Sequence, residues 1–171
     1  GNRVCILRDG KVIQIGTPEE ILTQPADGYV AEFVQDVDQG RVIDVGKVMS
    51  SPVILDPSRT LTECVDALGD RRGGFCCDAD GRPTGLLAMT DAATALAHGT
   101  TDLASVLRSD FDTTTAEARF NDNYAAAGRG LPIAVLDETG CLVGELEPRE
   151  IMEEMGRVEQ LVDGFEREVF L

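Results

Sequence analysis

Asp80-Gly-Arg-Pro-Thr-Gly-Leu-Leu-Ala-Met-Thr-Asp91 is echoed 59 positions later by Thr139-Gly-Cys-Leu-Val-Gly-Glu-Leu-Glu-Pro-Arg-Glu150. The ungapped offset pairs Gly81 with Gly140, Gly85 with Gly144, Leu87 with Leu146 and Asp91 with Glu150. It holds upstream as well: Phe75-Cys-Cys-Asp78 falls on Ala134-Val-Leu-Asp137, Ala67 on Ala126 and Ser50 on Ser109. A whole supersecondary unit is therefore repeated, and two such units pack face to face because neither buries its apolar surface alone.

The 171 residues suit two small cores. A net charge of -16 opposes phosphate backbones and anionic membranes, so no nucleic-acid partner is expected. The second repeat is the acidic one, with twelve acids against four bases between residues 100 and 155. No apolar run reaches membrane-spanning length and no targeting pattern opens the chain, so a soluble piece with no direct membrane span is expected. Cys5, Cys64, Cys76, Cys77 and Cys141 are odd in number and lack CxxC spacing, which reads as reduced, buried thiols with no metal site.

Arg3 to Arg8 and Lys11 to Ile15 are β-rich runs around Asp9-Gly10, a hairpin signal. Thr17 then N-caps a helix, with Pro18 at its first position and Glu20 completing a capping box. Tyr29, Val30, Phe33, Val34 and Val37 form a second helical stripe. Arg3 to Pro25 resembles the end of the nucleotide-binding domain of ABC transporter ATPases, and Tyr29 to Asp38 is similar to their glycine betaine/proline importer branch. No GxxxxGK[ST] is present, since neither Lys11 nor Lys47 has a glycine five residues before its Gly-Lys pair. The fragment is thus expected to lack catalytic residues and cofactors of its own, with ATP bound elsewhere in the parent.

In the first repeat, Met49 to Asp56 reads as a strand. Leu61, Cys64, Val65 and Leu68 form a helix face capped by Thr60 or Thr62, Phe75 to Asp78 and Thr84 to Met89 are strands, and Asp91 to Ala97 is a helix. The second repeat runs strand Phe111 to Thr114, helix Glu117 to Ala127, strands Leu131 to Leu136 and Leu142 to Leu146, and a helix from Pro148. An apolar stripe from Ile151 through Met155, Val158, Leu161 and Val162 to Phe165 prolongs that helix. This β-α-β-β-α unit, occurring twice, resembles the cystathionine-β-synthase (CBS) domain, and the pair resembles a Bateman module. The fold class is α/β (α+β), preceded by a hairpin and helix remnant of an ABC ATPase domain. The divisions are 1–40 for the end of the ATPase domain, 45–99 and 100–155 for the two CBS domains, and 156–171 for a C-terminal tail. Both resemblances imply the regulatory module of the ATP-binding subunit of an osmoprotectant (glycine betaine/proline) importer, cytoplasmic and peripheral to the inner membrane. They imply a membrane permease partner and a homodimer, with Ala92, Leu96, Ile151 and Met155 facing the second copy. Ionic strength is the expected input, and an adenine nucleotide or cyclic dinucleotide the alternative.

A CBS unit offers a ligand cleft between its last strand and last helix, with a Ser/Thr hydroxyl for phosphate and, three residues on, an Asp for the ribose diol. Ala88 stands at the hydroxyl position here, Thr90 is its nearest substitute, and Asp91 matches the ribose acceptor. Asp91 as a helix N-cap is the competing reading. In the second unit Glu147 and Glu150 occupy these positions, where a carboxylate repels phosphate; both read as solvated first-turn residues. Arg71-Arg72 reads as a solvated helix end, His98 as an exposed linker residue, and Glu145 and Glu147, with Glu153 and Glu154, as surface charge.

Overall fold

The computed structural model describes residues 3–34, 43–150 and 152. Strands β1 (Val4–Arg8) and β2 (Lys11–Gly16) form an antiparallel hairpin. Its turn places Asp9 and Gly10 at φ 51° and 76°, the left-handed pair that suits the strand twist. Helix α1 (Pro18–Thr23) starts on the expected capping box: Thr17 accepts from the Glu20 N–H while Glu20 accepts from the Thr17 N–H. With α2 (Gly28–Val34) it buries Ile21, Leu22, Val30 and Val34 against Ile6.

Each repeat supplies a three-stranded sheet, a parallel pair followed by an antiparallel one. The first contains β3 (Ile54–Leu55), β4 (Gly73–Cys77) and β5 (Pro83–Ala88), with α3 (Leu61–Leu68) and α4 (Met89–Ala97) packed on it. The second contains β6 (Thr113–Thr115), β7 (Ile133–Leu136) and β8 (Leu142–Leu146), with the short helix α5 (Tyr124–Ala127). The β4–β5 and β7–β8 turns are built alike. The carboxylates of Asp78 and Asp137 each accept two backbone N–H groups, and Gly81 and Gly140 take φ 82° and 84°, where a side chain is strained.

The two units exchange their lead-in segments. Residues 43–50 precede the first unit but run along the second: Val45 N–H donates to Ala118 O, Gly46 N–H to Ala116 O, and Ser50 pairs antiparallel with Glu145. Ile43 and Val45 complete the core of Phe120, Ile133, Val135 and Leu146. Reciprocally, Leu103 enters the first core with Leu55, Leu61, Cys64, Leu68, Cys76, Leu87 and Ala92, and Arg108 pairs with Leu86. This crossing explains a repeated glycine. A Cβ on Gly85 would lie 3.2 Å from Leu107 Cβ, and one on Gly144 2.6 Å from Met49 Sδ.

Several expectations are corrected. The helix expected over residues 117–127 is a 3-10 turn (Phe120–Asn123) followed by α5, because the Ala116 and Ala118 carbonyls that would begin it accept from the lead-in. The strand expected over residues 49–56 shrinks to β3, since Ser50 pairs with the other unit and Pro52 has no N–H. The strand expected over 111–114 is Thr113–Thr115. Ala92 is fully buried and so offers no face to a second copy, while Leu96 is half-buried against the same core. Cys64 and Cys76 are buried, and burial pushes the Cys76 thiol up to about 11; Cys5 is exposed, and Cys77 and Cys141 are half-buried. Val37, Glu153, Glu154 and the terminal stripe from Ile151 and Met155 to Phe165 lie outside the described residues.

Candidate functional site

Where the units meet, a cleft of about 630 Å³ is lined by Gly69 to Arg72, Met89, Thr90, Arg108 and Arg129 to Leu131. Four arginines thus converge in a chain of net charge -16. Three have carboxylate partners. Arg108 Nε and Nη2 donate to Asp91 at 2.5 and 3.0 Å, Arg129 Nε donates to Asp112 at 2.8 Å, and Arg71 Nη1 donates to Glu145 at 2.6 Å. The exposed Arg72 guanidinium faces no carboxylate among the described residues. The Arg108 hydrogen bond holds the Asp91 carboxyl below its ordinary range.

Behind the cleft, two glutamates of the second unit reach into the first. Glu145 has no exposed side-chain surface and accepts from Arg71 and, at 3.2 Å, from the Val53 N–H. Burial raises its carboxyl from 4.5 to about 7, although the Val53 N–H and Arg71 both pull it down. Glu147 is 1% exposed and accepts from the Arg72 N–H at 3.1 Å.

The sequence-derived candidates are placed as follows. Ala88, fully buried, occupies the N-cap of α4 without a side-chain cap, which corrects the expectation that Asp91 is the cap. Asp91 lies in the first turn with its carboxylate on Arg108, and Thr90 is exposed on the cleft wall. The solvated setting expected for Glu147 is also corrected: it is buried. Glu150 is half-buried and accepts from the Glu147 N–H at 2.8 Å. Glu145 and Glu147 therefore contribute no surface charge, and Arg71, with 21% of its side chain exposed, is no solvated helix end. His98 is exposed, as expected, with Nδ1 2.8 Å from Thr94 O. Arg108 and Arg129 carry no motif and were not singled out from sequence. The burial of Glu145 and Glu147 did have a signal, because the repeat sets them opposite apolar Leu86 and Ala88.

Two repeated sheets with exchanged lead-ins and a cleft at their junction define a CBS domain pair, and residues 45–98 match the CBS domain family. Staphylococcus aureus OpuCA superposes with TM-score 0.54 at 17% identity, covering 65% of this chain and 97% of that one. The CBS domain pair of protein MJ0100, crystallised with 5′-methylthioadenosine and S-adenosyl-L-methionine, gives TM-score 0.61 at 17% identity over 66% of this chain and 95% of that one. At these identities the likeness concerns the fold.

Along its sequence the chain is homologous to part of the ATP-binding subunits of glycine betaine ABC transporters, the part containing this CBS module. It is 31% identical to the glycine betaine transport ATP-binding protein OpuAA of Bacillus subtilis, over 99% of this chain and 43% of that protein. It is 26% identical to the glycine betaine/proline betaine transport ATP-binding protein ProV of Salmonella typhimurium, over 92% and 41%. The chain thus spans less than half the length of these relatives. Among the described residues no helix is long and apolar enough to cross a membrane.

Proposed function

We propose that this chain is the regulatory end of the ATP-binding subunit of an osmoprotectant importer, and that it adjusts ATP-driven uptake of a glycine betaine-like solute to ionic strength. The observation carrying this reading is the CBS pair within a chain that matches such subunits along 99% of its length. Residues 1–40 are the end of the ATPase domain, 45–99 and 100–155 the two CBS domains, and 156–171 a tail. Hydrolysis belongs to the rest of the subunit, which docks on a membrane permease from the cytoplasmic side, and the module pairs with a second copy. Among the described residues of the module, Ile54, Val143 and Met152 are large apolar side chains left exposed for that pairing, whereas Ala92 is buried. The test is ATP hydrolysis by the reconstituted importer against potassium chloride. With the whole subunit, activity should rise with salt; with residues 45–171 deleted, the salt dependence should disappear. Equal salt curves would refute the reading.

The arginine-lined cleft favours a second input, an anionic adenosyl ligand. The Thr90 hydroxyl and the Arg72 guanidinium, without a side-chain partner among the described residues, stand on its wall to meet phosphate, while Asp91 accepts from the ribose if it leaves Arg108. The second unit's positions, Glu147 and Glu150, make the poorer site, because the buried Glu147 carboxylate repels phosphate; in the first unit Ala88 supplies no hydroxyl. Calorimetry with AMP tests this input; no heat of binding in phosphate-free buffer at millimolar AMP would remove it.

A further inference from the structure

Arg71 serves two places at once. Its Nη1 donates to Glu145 Oε1 at 2.6 Å and to Ser50 Oγ at 2.8 Å, and the same residue lines the cleft. Its carboxylate partner comes from the other unit and is fully buried. Among the described residues, the charged groups acting on Glu145 are Arg71 from the turn after α3, Glu147 beyond the end of β8 and Glu150 from the segment after it; Ser50 of the lead-in and Val53 just after it bring neutral groups. Burial, aided by the two carboxylates, thus outweighs the Val53 N–H and the Arg71 guanidinium, and the group titrates at about 7. The other two paired arginines differ. Asp91 and Asp112 each meet their arginine through two donors, and the Arg108 hydrogen bond holds Asp91 below its ordinary range, so the Asp91 pair persists through neutral pH.

We propose that Arg71 passes from Glu145 to an anion in the cleft when Glu145 takes up a proton from solvent, so that anion binding at the junction of the two units is coupled to pH. The proposal rests on the cleft being an anion site, as argued above. Ionised Glu145 keeps Arg71 neutralised and competes with the ligand; protonated Glu145 is an uncharged acid that no longer competes. Because the competitor titrates at about 7, it should weaken binding about tenfold at pH 8 and hardly at all at pH 6.

The experiment is calorimetry of the whole chain with AMP at pH 6 and pH 8, comparing wild type with Glu145→Gln, a neutral side chain of the same shape. The titration of AMP itself is common to both proteins and cancels. Glu145→Gln should bind about tenfold more tightly than wild type at pH 8 and within about twofold at pH 6. An arm without mutation repeats the wild-type titration at pH 8 in two buffers of unlike ionisation enthalpy, where close to one proton should be taken up per AMP. This arm decides the matter if the variant fails to fold. Binding with no proton uptake, or with equal wild-type and Glu145→Gln affinities at pH 8, overturns the coupling and leaves the anion cleft standing. No AMP binding by wild type at either pH overturns the cleft and the coupling together.

Discussion

Glu145 concentrates the electrostatics of the molecule in one residue. Its carboxyl is raised from 4.5 to about 7, so between these values the folded chain binds a proton that the unfolded chain has released. The associated stability is fully present below about pH 4.5 and is lost as pH rises through 7, amounting to about 3 kcal/mol at most. Urea unfolding of wild type and Glu145→Gln at steps between pH 4.5 and 8 should show the wild type alone losing this increment. Parallel curves would show that the carboxylate is not buried as described. Removing the partner acts differently: Arg71→Ala leaves a buried carboxylate unpaired and should cost about 3–5 kcal/mol at pH 8, with a smaller loss at pH 5. The sequence held half of this. Glu145, Leu146 and Glu147 alternate as a strand with one polar face does, and that face reads as solvated. It is buried because the other unit covers it, a contact across 74 positions that no local pattern encodes.

At the scale of elements, the repeat was legible because its markers are local. Asp78 and Asp137 anchor turns within four residues; likewise the capping box at Thr17–Glu20 spans three, and of the two caps the sequence offered for α3 the structure uses Thr60. The lead-in exchange was not legible. Residues 43–50 take backbone partners more than sixty positions away, and those bonds break the helix that the alanines of 116–127 favour by propensity alone. Gly85 and Gly144 are where the exchange leaves its mark on the sequence, since each lies under the other unit's crossing segment. Gly85→Val and Gly144→Val should each destabilise the chain by about 1–3 kcal/mol or more, the cost of overpacking a fixed contact. Gly99→Ala, where no atom lies within 4 Å, should cost only its backbone strain at φ 79°. Thermal melting of the three variants measures this, and equal losses at all three would argue against the crossing.

For the whole molecule, charge is the dominant long-range term. Sixteen unbalanced negative charges make roughly a hundred repulsive pairs, each worth about 0.4 kcal/mol at 10 Å in water and less beyond. Against them stand exposed ion pairs that join distant segments, Arg149 with Asp70 and Arg119 with Asp44, each contributing about 0–1 kcal/mol. Raising salt from 0.1 to 1 M shortens the screening length from about 10 Å to about 3 Å and weakens both terms, and the repulsion is the larger. With Glu145 and Glu147 buried, the acidic surface of the second unit among the described residues comes from Asp102, Asp110, Glu117, Asp122, Asp137 and Glu138, all exposed; Asp137 also anchors a turn.

The measurement that most directly tests ionic strength as the signal is therefore the melting temperature of the chain against potassium chloride at fixed pH. Wild type should be compared with a variant carrying Asp110→Asn, Glu117→Gln, Asp122→Asn and Glu138→Gln. Wild type should gain at least about 3 °C between 0.1 and 1 M, and the variant should start higher and gain less than half as much. A flat wild-type curve, or two curves of equal slope, would contradict the account.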